Sequence, residues 1–168
     1  MKNRVRFFNG SAIWIGIITA TLCFLAQTLL GSPLISLHIL KGSSLLPPIW
    51  IFNVLSVAWC FLIGISAGAI INATSLRLNN GEKEIAAYKG GFFFLTFFFL
   101  SFLRYYLLFY ATRLFLSLII SVIVLICSLL CAFSWNKVKP SMSSAIILLF
   151  AIWQFYILFV NLSIFLHN

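Results

Sequence analysis

Acid–base and nucleophilic chemistry need a positioned carboxylate, imidazole or activated thiol, and this sequence offers few of them. Its only acids are Glu82 and Glu84, in one polar stretch; its histidines, His38 and His167, have no carboxylate near them in sequence. Cys23, Cys60, Cys127 and Cys131 all fall inside apolar runs, at no metal-ligand spacing from a His or an acid. Cys127 and Cys131 share a helix face at i,i+4 and read as buried thiols that pack as small apolar groups. Ordinary catalysis is not expected, and no cofactor or metal is required by these residues. A proton-coupled pump would also lack its relay, because no Asp or Glu lies within an apolar run.

What remains is aromatic and amide chemistry. Five tryptophans (Trp14, Trp50, Trp59, Trp135 and Trp153) accompany nineteen phenylalanines. Trp14 and Trp135 lie near the ends of apolar runs, where an interfacial belt is the expected role. In "AIWQFYILFVNLSIFLHN" Trp153, Gln154, Asn161 and Asn168 interrupt an apolar run. Trp153 and Asn161 are about two helical turns apart, offset by roughly 80° around the axis. An amide in lipid needs a partner, which another helix or a ligand can supply. In "LLPPIWIF" Pro47 and Pro48 suit the first turn of a helix, whose N–H groups have no intrahelical partner, and they hand over to Trp50 and Phe52.

The elements that must position these groups follow from composition. Of 168 residues, 63% are hydrophobic and 8% charged, and the mean hydropathy is +1.15, too little polar surface for a water-exposed globule. Spanning a hydrocarbon core of ~30 Å takes about 20 apolar residues in a helix. That ruler predicts an all-α fold, an integral membrane bundle of five helices over roughly 11–30, 46–73, 90–110, 114–133 and 144–166. The whole chain, 1–168, reads as a single transmembrane domain without internal repeats. The basic start "MKNRVRFF" and the apolar run behind it read as a retained signal anchor. Helix three is expected to place Arg104 about two turns from its end, where the side chain snorkels to the interface, with "ATR" as a tight hairpin into helix four. The stretch "NATSLRLNNGEKEIAAYKGG" reads as a loop turning at Asn79, Asn80 and Gly81. Gly64 and Gly68 form a G-x-x-x-G pair that supports a tight bundle or a dimer.

Eleven Lys and Arg against two acids give a net charge of +9. The cations fall between apolar runs, so they meet headgroups and set orientation; nucleic acid is not an expected partner. Lys2, Arg4, Arg6, Arg77, Lys83, Lys89, Lys137 and Lys139 share one side, and Lys41, Arg104 and Arg113 the other. The positive-inside rule then makes the N-terminus cytoplasmic, and a bacterial inner membrane is the expected location.

The "PPIWIF" opening of helix two, the small residues of "GISAGAI", and the W-x7-N-x6-N ending at Trp153, Asn161 and Asn168 resemble the TspO/MBR family. These are the bacterial tryptophan-rich sensory proteins and the mitochondrial translocator protein, or peripheral-type benzodiazepine receptor. The resemblance implies a five-helix bundle, often a homodimer, whose first loop covers a pocket for hydrophobic ligands such as porphyrins, heme and other tetrapyrroles, sterols or benzodiazepine-type drugs. Carried over by position, Pro47, Pro48, Trp50 and Phe52 shape the lid junction, and Tyr105, Trp153 and Asn161 line or brace the cavity. The chain departs from the family pattern at Ser44, Leu45 and Ser56, where Trp is usual, and at Cys60, Phe102, Tyr105, Leu149 and Phe150. Some family members are proposed to degrade porphyrin photochemically through pocket tryptophans, which this chain partly lacks. The expected role is that of a sensor or regulator that binds a planar or sterol-like ligand in the bilayer. A carrier of such ligands and a structural subunit without ligand are the alternatives.

Overall fold

A computed structural model describes residues 10–29, 49–76, 81–109, 111–138 and 142–167. It contains five helices: α1 (Gly10–Leu29), α2 (Ile49–Leu76), α3 (Gly81–Phe109), α4 (Leu114–Val138) and α5 (Met142–His167). All five are long and apolar enough to cross a membrane. The expected spans are present, with two changes of extent. α3 begins at Gly81, so the expected loop is helical over much of its length. Glu82 and Glu84 occupy the first turn, where the helix dipole favours negative charge, and Ala86 and Ala87 are strong helix formers. Polar composition concealed a helix that runs beyond its apolar segment. α4 likewise continues past Phe133 to Val138.

The side-chain distribution is that of a lipid-solvated bundle. On α1 the buried positions are Ala12, Gly16, Thr19 and Cys23, a stripe of small residues at helical spacing. Ile13, Trp14, Ile17, Ile18, Leu22, Phe24 and Leu25 point outward. Large apolar groups lose nothing by facing hydrocarbon, so the interior goes to residues that let backbones approach. α2 answers with Gly64 and Gly68: a Cβ on Gly64 would lie 2.9 Å from the Gly16 Cα, and one on Gly68 2.6 Å from the Ala12 Cα. The G-x-x-x-G face is thus used within the chain, against α1. Thr19 Oγ1 donates across the same seam to the Cys60 carbonyl at 2.8 Å, and Ser11 and Asn72 hydrogen-bond at one end of it.

α3, α4 and α5 pack in sequence order, and α5 returns to α2 to close the bundle. The core between them is aromatic. Trp135, only 2% exposed, stacks on Phe94 with centroids 5.6 Å apart and sits over Gly90, where any Cβ would collide with the indole. Trp135 is therefore a core residue and not part of an interfacial belt; the notch at Gly90 admits it. Trp14, 66% exposed, does face outward. Phe97 meets Phe150 at 5.3 Å, and Phe150 meets Trp59 edge-on at 5.8 Å, which links α3, α5 and α2.

Between α3 and α4 the chain turns at Ala111–Arg113, as "ATR" suggested. The amides of Ala111 and Arg113 donate to the Tyr106 and Leu107 carbonyls at 3.0 and 2.9 Å. Thr112 has φ 50°, a left-handed conformation that a β-branched residue adopts at a cost of about 1 kcal/mol or more. Thr112→Gly is expected to raise stability by about 1 kcal/mol, read as a higher midpoint of thermal unfolding in detergent. An unchanged or lower midpoint would show that the turn is not strained at this position.

Candidate ligand cavity

α2 touches α3 only slightly, and a cavity opens in that seam. Its walls come from four helices: Cys23, Ala26 and Gln27 of α1, Ser56, Trp59, Cys60 and Ile63 of α2, Phe97, Phe98, Ser101, Phe102, Arg104 and Tyr105 of α3, and Phe150, Trp153 and Gln154 of α5. These positions lie toward the C-terminal ends of α1 and α3 and the N-terminal end of α2, the end of the bundle to which residues 30–48 connect. The cavity measures ≈ 60 Å³, and ≈ 610 Å³ when space open to the surroundings is counted. The smaller figure is room for a handful of waters, well under the roughly 300–1,000 Å³ of a drug-sized site. A large ring system therefore enters only if the walls part, and α2 and α3, which touch only slightly, offer a seam for that.

The lining is mostly apolar, with Gln27 of α1 and Ser56 of α2 among its polar groups and its one charge at the α3–α5 edge. Arg104 is 9% exposed and turned into the bundle, where its Nη1 donates to Gln154 Oε1 at 2.5 Å; Gln154 itself is 2% exposed. Arg104 thus does not snorkel to an interface as its position near the helix end suggested, because Gln154 offers it an acceptor inside. Among the described residues it meets no carboxylate. Neither acid of the chain can reach it along α3: Glu84 lies 20 residues away, about 30 Å at 1.5 Å per residue.

The residues expected to form a site are distributed unevenly. Tyr105 and Trp153 line the cavity, and Trp153 also packs on Tyr156 at 5.3 Å. Asn161 lies about two turns further along α5 toward its C-terminus, buried, and donates through Nδ2 to Ser121 Oγ at 2.5 Å, which braces α5 on α4. Trp50 opens α2 and is 69% exposed, outside the cavity lining. Pro47 and Pro48 lie outside the described residues, as does the Phe52 side chain. Both intramembrane amides of α5 find helix partners, Gln154 on α3 and Asn161 on α4.

Of the lining residues only Tyr105 and Trp153 were singled out as site residues from the sequence; Trp59, Cys60, Arg104 and Gln154 are among those that were not. For Cys60 a signal existed in the departures from the resemblance pattern. Ser56, Cys60, Phe102, Tyr105 and Phe150 all line the same cavity. Of the other departures from the resemblance pattern, Leu149 is exposed, and Ser44 and Leu45 lie outside the described residues. For Arg104 and Gln154 each polar group was visible in its apolar run, but their pairing was not, since they are 50 residues apart and meet only by folding.

Chemically the site offers flat apolar walls, one cation, the amides of Gln27 and Gln154 and a few hydroxyls. Among the described residues no group of three or more His, Cys, Asp or Glu is assembled for a metal ion, and His167 Nδ1 lies 2.7 Å from the Ser163 carbonyl within its own helix.

No curated protein matches the sequence significantly. A family model does: that of the TspO/MBR family, over residues 17–166, nearly the whole chain. Five apolar helices closed around an aromatic interior agree with that match, and the protein is an integral, multi-pass membrane protein that belongs to the TspO/MBR family.

Proposed function

We propose that the protein binds a planar, largely apolar ligand of the tetrapyrrole or sterol type in the α1–α2–α3–α5 cavity, and that occupancy of this site makes it a sensor or regulator. The observation that carries the reading is the convergence of Trp59, Phe97, Phe98, Phe102, Phe150 and Trp153 on one cavity with few polar groups. Such walls suit a flat ring system, which gains by stacking and needs no acid or base. Family membership adds to this, since ligand binding of that kind is what the resemblance implies. Ligand entry at the α2–α3 seam would couple occupancy to helix separation, a change that a partner in the membrane could read.

The same reading places the N-terminus on the cytoplasmic side. With Arg104 inside the bundle, the charge bias becomes eight cations against two, Lys41 and Arg113. The cavity then opens toward the outer leaflet. Carriage across the membrane is less well supported, because rocking carriers commonly use interrupted helices and the five described helices are continuous.

Titration of the purified protein with protoporphyrin should quench tryptophan emission saturably. Trp153→Ala is expected to weaken binding about ten-fold, the loss of roughly 1.4 kcal/mol of stacking. Trp14→Ala, on the outer face of α1, should leave the affinity unchanged. If Trp59→Ala and Trp153→Ala both bind as the unaltered protein does, the ligand does not occupy this cavity.

A further inference from the structure

We propose that the cavity is an anion seat: Arg104, held in place by Gln154, receives the carboxylate of an apolar ligand whose body lies along Trp59, Phe102, Phe150 and Trp153. The inference deepens the proposed function and rests on the same cavity, but it depends on a different feature, the charge.

A buried cation in a bilayer-spanning bundle is costly unless paired, and such residues face a partner or a ligand pathway. Arg104 is more than nine-tenths buried, lines the cavity, and has an amide oxygen as its described partner. A guanidinium carries five N–H donors, whereas one amide oxygen has two lone pairs, so Gln154 leaves donors to satisfy. Nor can the chain supply the missing negative charge. Its two acids are in the first turn of α3, at the opposite end of the helix from Arg104. Among the described residues no carboxylate stands against it, so a bound anion would supply the counter-charge.

The geometry selects the kind of anion. A guanidinium fork matches a carboxylate in a bidentate arrangement, which is shorter and stronger than a neutral hydrogen bond. The bond from Nη1 to Gln154 restricts the fork, so part of the ordering cost is met before a ligand arrives. The aromatic walls favour an apolar body behind the carboxylate, and the ≈ 60 Å³ of the partly open cavity suits the head while the body uses the opening seam. Two sources share this chemistry, a carboxylate-bearing ring system and a free fatty acid from the bilayer.

The experiment compares acids with their neutral esters on the full chain in lipid nanodiscs: protoporphyrin against its dimethyl ester, and oleate against methyl oleate. Binding is read as protection from heat, followed by labelling of the buried Cys131 thiol. At least one acid should bind ten-fold or more tightly than its ester. Arg104→Met should bring that acid down to the level of its ester with the ester unchanged, and Arg104→Lys should retain part of the preference. Equal binding of acid and ester, or a preference that survives Arg104→Met, would overturn the seat while leaving the planar-ligand reading intact. Oleate binding with neither tetrapyrrole bound would uphold the seat and remove the planar-ligand reading. Binding of neither acid overturns both. Should Arg104→Met fail to fold, the acid-to-ester ratio of the unaltered protein, with Arg104→Lys beside it, still decides the outcome.

Discussion

Gly68→Leu is expected to loosen α1 from the bundle, at a cost of about 3 kcal/mol. The Cβ it introduces would stand 2.6 Å from the Ala12 Cα and 3.1 Å from the Ala12 Cβ, distances that only a shift of one helix can relieve. Overpacking in a closely packed interior costs about 1–3 kcal/mol, and more when backbone must move. Such a shift also pulls Thr19 from the Cys60 carbonyl, its hydrogen bond across the seam. In lipid this loss is not offset by hydrophobic burial elsewhere, since α1 is as well solvated by hydrocarbon as by α2. The measurement is the midpoint of thermal labelling of the buried thiols Cys23 and Cys131 in detergent. Cys23 lies on α1 and Cys131 in the α4 core, so earlier labelling of Cys23 alone would report local detachment of α1. Ala12→Gly should rescue little, because the nearest obstacle is the Cα itself. A midpoint unchanged by Gly68→Leu would mean that α1 does not approach α2 this closely.

Gln154→Leu should cost about 2 kcal/mol, more than the typical interhelical hydrogen bond in a membrane protein, because its partner is a cation. Interhelical bonds between neutral groups in bilayers average roughly 0.6 kcal/mol, since the separated helices also find partners. Removing Gln154 leaves the Arg104 guanidinium buried without its acceptor, and hydrogen bonds to charged groups are worth about 1.5–3 kcal/mol. The pair is therefore expected to behave non-additively. Replacing both residues, Arg104→Leu with Gln154→Leu, removes the uncompensated charge together with its partner and should lie closer to the unaltered protein than Gln154→Leu alone. A double-mutant cycle on unfolding midpoints measures this directly. Additive losses would mean that each residue is stabilised by something other than its partner.

Both expectations concern contacts that the sequence foreshadowed to different degrees. The spacing of Gly64 and Gly68 identified a close-packing surface without naming its partner, a dimer mate or a neighbouring helix. The complementary stripe of Ala12, Gly16 and Thr19 on α1 assigns that surface within the chain. Asn161 was legible as a residue in need of a partner, and folding supplied Ser121 from 40 positions away. Trp135 and Arg104 were misplaced because nearness to a helix end was used as a guide to depth. For Trp135 the deciding fact is a missing Cβ on another helix, at Gly90; for Arg104 it is an acceptor on another helix, at Gln154. Neither fact leaves a trace in the local sequence.

The sequence by itself determined that the chain lives in a bilayer, that it crosses it five times, and that it resembles one family. Each of these depends on runs of like residues or short motifs, and backbone hydrogen bonding in hydrocarbon permits an apolar run little other than a helix. Only the tertiary structure decided what lies inside. In a chain whose every face is apolar, hydrophobicity cannot distinguish core from surface, so the interior is chosen by shape and by the pairing of a few polar groups across helices. That choice turned Arg104 inward, laid Gly90 beneath Trp135, and brought Ser56, Cys60, Phe102, Tyr105 and Phe150 around one cavity.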